Sequence, residues 1–330
     1  MRREAIELSV LDPSWIDHDA DPGRALRATR SLAQACDDLG YRRFWVVEHH
    51  NSPAMAGTSP STLIAAIAQA TQRIRVGSGG VMLPNHPPLV VAEQFGLLDH
   101  LFPDRIDLGL GRAPGADPET CRALRRPEVA GPDFFSNQLD ELLAYLSDGG
   151  SPVTATSAVG SSISPWLLGS GPGGAIEAGR RGLPFAFAFH IKPEAIKPAV
   201  AAYRKNFRPS LHLDRPYVMI SVLALVLDSV RAAQEAARPA FVAMFQDRAG
   251  LRGIYPTVAE AAAYRLSTDE KAELDELYAT EFIGDLNLVS RRVSDVLDEY
   301  QPDELMITAP VRDLSTRLEC FSRLHEMRIR

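Results

Sequence analysis

The sequence predicts a (β/α)8 TIM barrel, eight parallel strands each followed by a helix, with a helical insertion between units seven and eight. Three observations predict it. Strand-like apolar runs alternate with amphipathic helical stretches along all 330 residues. Several runs are apolar at consecutive positions, as in Phe44-Trp45-Val46-Val47, which is the pattern of strands covered on both faces. Glycine-rich and titratable clusters follow the strands directly, where parallel barrels carry their chemistry.

Residues 6–11 form the first strand. Residues 24–39 follow as a helix, with Ala25, Thr29, Leu32 and Cys36 at helical spacing and Gly40 as C-terminal cap. Strand two is 44–47. Helix 59–70 takes Ser59 as N-cap and Pro60 in its first turn. Strand three, 74–82, ends in glycines, and helix 88–101 sets Val91, Phe95 and Leu98 on one face. Strand four is 106–110 and its helix 132–146. A loop rich in Ser, Gly and Thr covers 149–163. Strand five (164–168) precedes a short helix, 173–181, that Gly182 ends. Strand six is 185–189, helix six 193–206, strand seven 217–227 and helix seven 228–243. The last pair is strand 304–308 and helix 314–324, with Leu314, Leu318 and Phe321 on one face. Residues 244–300 exceed the eightfold count. Their helix-like stretches, 258–264, 270–278 and 290–300, are read as an insertion packed on the barrel, so 1–330 is expected to be one domain.

Composition narrows the partners. Net charge is −7 and no Lys/Arg block stands out, which disfavours nucleic acid and acidic membranes. Cys36, Cys121 and Cys320 are widely spaced and form no CxxC, as expected in a reducing compartment, so a cytoplasmic location is expected. Residues 1–20 contain acids and no apolar segment, which argues against a signal peptide. No run of about 18 apolar residues suggests a membrane span.

Four clusters carry chemistry. Glu48-His49-His50 follows strand two, and a carboxylate with two imidazoles can handle protons near neutral pH. A lone histidine there would more often be a packed one; three titratable residues at one strand end reverse that preference. Residues 77–84 place Gly79 and Gly80 where a flat ring could lie with no Cβ between, or where a barrel strand simply kinks. Residues 107–115 send Arg112 from the end of strand four, to bind a phosphate or carboxylate or to pair with a neighbouring loop. Ser170, Gly171, Gly173 and Gly174 form a strand-to-helix turn whose free N–H groups attract phosphate. No Lys-Ser/Thr follows, so it is no Walker A loop. Together the clusters imply a flat-ringed, phosphorylated ligand over a mouth lined with His and Glu. Flavin mononucleotide has that shape, as do other phosphorylated heterocycles.

At these residues the chain resembles the bacterial luciferase-like, flavin-dependent monooxygenases. The resemblance rests on segments 45–51, 74–115, 165–190 and 303–310 and spans nearly the whole chain. It implies a TIM barrel with an insertion late in the chain. It also implies reduced FMN, supplied by a separate NAD(P)H:flavin reductase, reacting with O2 through a flavin C4a-hydroperoxide that oxidises the substrate. By motif, His49 is the acid/base beside the flavin and Glu48 a carboxylate beside the ring. Gly79-Gly80 is the dipeptide, often cis, that supports the ring system; Arg112 is the phosphate arginine, and Ser170, Gly171, Gly173 and Gly174 the second phosphate loop. A homodimer is implied too. Two departures stand out. Many relatives carry hydroxyls in the loop that reads Gly171-Pro172-Gly173-Gly174 here, and luciferases proper have a reactive cysteine where this chain has Gly111. The second puts light emission in doubt, not oxygenation.

Other readings of the same barrel are a deazaflavin (F420)-dependent dehydrogenase, a non-catalytic flavin-binding protein, and a metal-dependent hydrolase using His49, His50 and His190. No Arg/Lys cluster of the kind a sulfonate site would need stands near the strand ends, which points to an apolar substrate, and Phe187 and Phe189 are candidates to face it.

Overall fold

The computed structural model describes residues 6–17, 21–113, 116–125, 133–147, 152–251 and 255–327. Its strands are β1 (Glu7–Asp12), β2 (Arg43–Val46), β3 (Arg75–Ser78), β4 (Val81–Met82), β5 (Ile106–Gly111), β6 (Pro165–Gly169), β7 (Phe185–Ala188), β8 (Val218–Val226), β9 (Phe282–Gly284) and β10 (Glu304–Thr308). The parallel order β10-β1-β2-β3-β5-β6-β7-β8 closes through β10 on β8, giving the predicted eight-stranded barrel.

The strands show why consecutive apolar residues were needed. All four side chains of β2 are buried. Phe44 and Val46 pack outward among the helices. Trp45 points into the barrel with Leu11, Val47, Trp166, Ala186, Met219 and Met306. This is the period-two alternation of a strand with two buried faces. The same alternation settles a phase that the sequence left open. Phe187 belongs to the outer, helix-facing core and Phe189 packs against it, so neither faces the mouth; Ala186 and Ala188 do.

The floor of the barrel is ionic. Arg43 Nε donates to Glu304 and its Nη1 to Asp107, at 2.9–3.0 Å. Arg75 and Trp45 Nε1 also donate to Asp107, and Tyr217 donates to Glu304. Burial pushes the Asp107 carboxyl up, but Arg43 and Arg75 outweigh it and hold it below its usual value. Gly77 is required here, since a Cβ would meet Asp107 Cβ at 2.6 Å and Trp45 Nε1 at 2.7 Å. Asp107 thus serves the floor, not the ligand cluster in which its sequence neighbours place it.

Helices α1 (Pro22–Leu39), α2 (Pro60–Ala70), α3 (Pro88–Leu101), α4 (Pro118–Ala123), α5 (Phe134–Leu146), α6 (Pro172–Arg181), α7 (Ile196–Asn206), α8 (Val230–Arg248), α9 (Val258–Ala263), α10 (Thr268–Thr280), α11 (Leu286–Tyr300) and α12 (Leu314–Glu326) complete the described chain. Gly40 and Gly182 end their helices at φ 87° and 62°, as expected. Ser59 stands at the N-cap of α2 without making a side-chain capping bond; its hydroxyl meets Thr62 instead.

Three elements differ from expectation. The strand expected over 74–82 is split into β3 and β4 at Gly79-Gly80, whose peptide bond is cis. Helix α8 runs on to Arg248, five residues past its expected end, with Pro239 inside it. Within the expected insertion lies an unforeseen strand, β9, which pairs with the far end of β8. The insertion helices dock on α8: Arg238 donates to Ala261 O and Tyr278 to Gln234 O, both at 2.8 Å. Among the described residues, no helix is long and apolar enough to cross a membrane.

Candidate active site

A cavity of about 730 Å³ opens at the C-terminal ends of the strands. His49, Gly79, Gly80 and Arg112 line it, and so do Ser170, Gly171, Gly173 and Gly174. Four clusters far apart in sequence therefore meet at one site.

One end of this cavity suits an anion. Helix α6 starts at Pro172, after an extended Gly171. Proline at N1 lacks an N–H, so the free donors of this terminus are those of the next residues, Gly173 and Gly174. A Cβ on Gly171 would meet nothing within 4 Å, and one on Gly173 would meet only Arg112 Nη1, at 3.8 Å. The loop is thus open towards the arginine. Arg112 is exposed and makes no ion pair or hydrogen bond among the described residues, so the salt-bridge reading of this residue lacks a partner. A free guanidinium facing a helix N-terminus is a strong anion site. Glu177, one turn into α6, also lines the cavity, but Arg181 pairs with it at 2.6 Å and offsets its charge.

The other end is flat and apolar. The backbone of Gly79-Gly80 lies among Leu11, Trp45, Val47, Met82 and Met306. Backbone packing demands glycine at 80, while at 79 the tight contact is with the movable end of a leucine side chain. A Cβ on Gly79 would strike Leu11 Cδ1 at 2.6 Å, and one on Gly80 would strike Gly109 O at 2.7 Å. The kink and ligand readings therefore coexist: glycine lets the strand pass close to its neighbours, and the same backbone faces the cavity.

His49 is half-buried, and its N–H donates to Gly57 O at 2.9 Å. Burial pushes its pKa down, Glu48 pulls it up and His50 pushes it down again. The balance lies below the ordinary histidine value, so the imidazole is neutral at pH 7 and able to accept a proton.

Glu48 departs from the expected carboxylate beside the ring. It is fully buried and absent from the cavity wall. Its Oε1 accepts from His50 Nε2 at 2.9 Å, His86 Nε2 at 2.8 Å and Asn85 Nδ2 at 3.3 Å. Its Oε2 accepts from Met82 N–H at 2.9 Å. Burial pushes the carboxyl up, but the bonds from His86, His50 and Met82 outweigh it and hold it below the usual range. A carboxylate with both oxygens engaged is a tie between the loop after β2 and the strand β4, whose Met82 does line the cavity.

Sequence reasoning missed His86, which lies 38 residues from its partner Glu48 and follows no strand. It cited His190 only as a metal ligand. His190 lines the cavity with Nδ1 at 3.0 Å from Ser221 Oγ, and burial lowers its pKa. Among the described residues, no group of three His, Cys, Asp or Glu side chains is placed to hold a metal ion.

Comparison with known proteins gives the family. The model of the luciferase-like monooxygenase family matches residues 6–296. A luciferase-like monooxygenase of Escherichia coli (strain K12) is 37% identical over 326 residues, covering 97% of this chain and 96% of its own. N-acetyl-S-alkylcysteine monooxygenase of Bacillus subtilis is 37% identical over 212 residues, covering 62% of this chain and 64% of its own. The crystal structure of apo-MsnO8 superposes with a TM-score of 0.91 at 32% identity, covering 98% of each chain. By the family model and by its full-length relatives, this chain belongs to the luciferase-like monooxygenase family.

Proposed function

We propose that the protein is a flavin-dependent monooxygenase that uses reduced FMN and O2 to oxidise a small organic substrate. One observation carries this reading: a single cavity joins a flat glycine-backed wall, a neutral His49 and the anion site of Arg112 and α6. Those parts fit FMN in order, ring, proton-handling group and phosphate. Bound reduced flavin would supply the electrons that activate O2.

The rest is work for the chain. Arg112 and the N–H groups of Gly173 and Gly174 hold the phosphate, with Ser170 and Gly171 shaping the loop. Without hydroxyls at 171–174, the arginine carries more of this binding. Gly79 and Gly80 support the ring. His49, uncharged at neutral pH, takes up a proton on its imidazole and returns it. Glu48 acts as a positioning residue through His50 and Met82. Leu11, Val47 and Met306 keep water from the reacting end.

Reduced flavin is proposed to come from a separate NAD(P)H:flavin reductase in the cytoplasm. A homodimer is part of the same reading. Val90, Leu97 and Leu101 are 40%, 54% and 61% exposed along one helix, α3, an apolar stripe that suits a second copy.

The test is anaerobic mixing with reduced FMN followed by O2, read by absorbance, in the wild type and in His49→Ala. A persistent spectrum distinct from oxidised flavin is expected in the wild type, with product yield lost in His49→Ala. Reoxidation at the rate of free FMN would overturn the proposal and favour the deazaflavin (F420)-dependent dehydrogenase. Tight binding of oxidised flavin without oxygenation would favour the storage protein.

A further inference from the structure

A second cavity, of about 390 Å³, lies beside the first, and His49 lines both. Its apolar wall includes Ala240, Ala243 and Met244 of α8. Trp15, beyond β1, and Tyr255, before α9, close another side.

At Tyr255 the packing is unusual. The Arg312 guanidinium lies over its ring, 3.5 Å from the centroid. Trp15 packs on the same ring, with centroids 5.2 Å apart. All three Arg312 nitrogens are shut off from water with no hydrogen-bond partner among the described residues, and so is Trp15 Nε1. Buried polar groups normally find partners, and a buried charge all the more so. The two fully buried arginines each find a carboxylate, although Arg317 Nε has no partner among the described residues. Arg43 pairs with Asp107 and Glu304, and Arg317 with Asp12 at 2.8 Å. Burial lowers the Arg312 pKa to about 10, with Tyr255 and Asp17 pulling it back up, so it stays charged at neutral pH. Two orphaned donors, one of them cationic, thus meet at one aromatic ring on the wall of a cavity that reaches His49.

We propose that this second cavity is the substrate site, and that it takes an organic carboxylate. The apolar body lies along Ala240, Ala243 and Met244, and the carboxylate is received by Arg312 and Trp15 Nε1 as Tyr255 turns aside. The far end of the molecule meets His49. A carboxylate matches the planar fork of arginine with two parallel bonds. One cation suits one negative charge, and Asp117 and Asp247 on the same wall disfavour a dianion. The substrate is therefore apolar in its body and anionic at one end, which refines the expectation of a wholly apolar one. This inference rests on the monooxygenase reading for what happens at His49, but not for the binding itself.

The experiment is calorimetric titration of the full chain, without flavin, with matched acid and amide pairs. The pairs run from hexanoic to decanoic acid and include phenylalkanoic acids, each against its own primary amide. At least one acid is expected to bind about tenfold or more tightly than its amide. That preference should vanish in Arg312→Gln and fall several-fold in Trp15→Phe, which keeps the ring and removes the N–H. The second variant decides the matter if Arg312→Gln does not fold. No preference for any acid over its amide, or an equal preference in both variants, overturns the inference. Reduced FMN affinity, measured separately, is expected to be unchanged in both variants. Its absence from the wild type would defeat the monooxygenase reading and leave the carboxylate preference standing.

Discussion

Replacing Glu48 by glutamine separates a chemical role from a positioning one. The carboxylate accepts from three side chains on Oε1 and from Met82 N–H on Oε2. An amide offers one acceptor oxygen and one donor group. If its oxygen faces His50 and His86, its NH2 confronts Met82 N–H, which cannot change role. If it is turned the other way, Met82 is satisfied and both imidazoles must shift tautomer to accept. The second arrangement is the cheaper, and it trades several charge-assisted bonds for neutral ones, at about 2–3 kcal/mol in total. At about 1.5 °C per kcal/mol for a chain of this size, Glu48→Gln should unfold about 3–5 °C below the wild type near pH 7. The sign with pH is fixed. Glu48 titrates below the usual carboxylate range, so its stabilisation is present above that range and lost as pH falls through its own pKa. The gap between variant and wild type should therefore close in acid. Thermal unfolding by circular dichroism from about pH 8 down to about pH 2, below the usual carboxylate range, measures it. A variant that melts with the wild type at every pH, yet turns over no substrate, would refute the positioning role and return Glu48 to the chemistry.

Three further outcomes are expected. Arg43→Met strips one cation from two buried carboxylates, Asp107 and Glu304, and should cost about 3–5 kcal/mol in denaturant unfolding; an unchanged midpoint would mean that Arg75 and Tyr217 suffice. Arg112→Leu should weaken FMN binding about 10- to 100-fold, read by fluorescence quenching, and leave the melting temperature unchanged because the side chain has no partner within the described protein. Glu281 is buried, its Oε2 has no partner among the described residues, and burial raises its pKa from 4.5 to about 7 despite Arg292. Its stabilisation is full below the unfolded value and is lost as pH rises through about 7, so Glu281→Gln should be more stable than the wild type above that pH, by up to about 3 kcal/mol. An advantage of the variant over the wild type that is no larger at about pH 8 than at about pH 5 would show that the carboxylate finds a partner on ionising.

The barrel was legible because each strand is a short apolar run that stops at a turn signal, and strand 304–308 was read to the residue. The phase of the strands was not. Phe185-Ala186-Phe187-Ala188 has aromatic residues at alternate positions, and nothing local says whether the large or the small residues face the mouth. The neighbouring strands decide it, with Trp45, Trp166 and Met219 already filling the interior and leaving room only for alanine. The three-residue β9 escaped because it forms only against the far end of β8. The cavity-lining glycines and Arg112 were readable because a strand end fixes which way its next residues go. Glu48 was read correctly as special and wrongly as facing the ring, since its orientation is set by Met82 and His86 in another unit. Arg312 carried no signal, being a single arginine whose lack of a partner is a property of three dimensions.

Charge is distributed along the barrel axis in a way that separates stability from function. At the floor Arg43, Arg75, Asp107, Glu304 and Tyr217 saturate one another. Such a network cannot accept a ligand, and removing any member leaves a buried charge exposed to its desolvation cost. At the mouth two arginines lack partners among the described residues: Arg112 stands exposed by the α6 terminus, and half-buried Arg312 has its guanidinium shut off with no acceptor. If cationic side chains were kept at the mouth for the fold, they would be paired there as they are at the floor. For the Arg312 guanidinium, shut off from water, that isolation costs stability, and an occupant that brings its own negative charge would offset the cost. On this argument the two arginines mark the two ends of one reaction site, phosphate at one and carboxylate at the other, with neutral His49 on the wall between the two cavities.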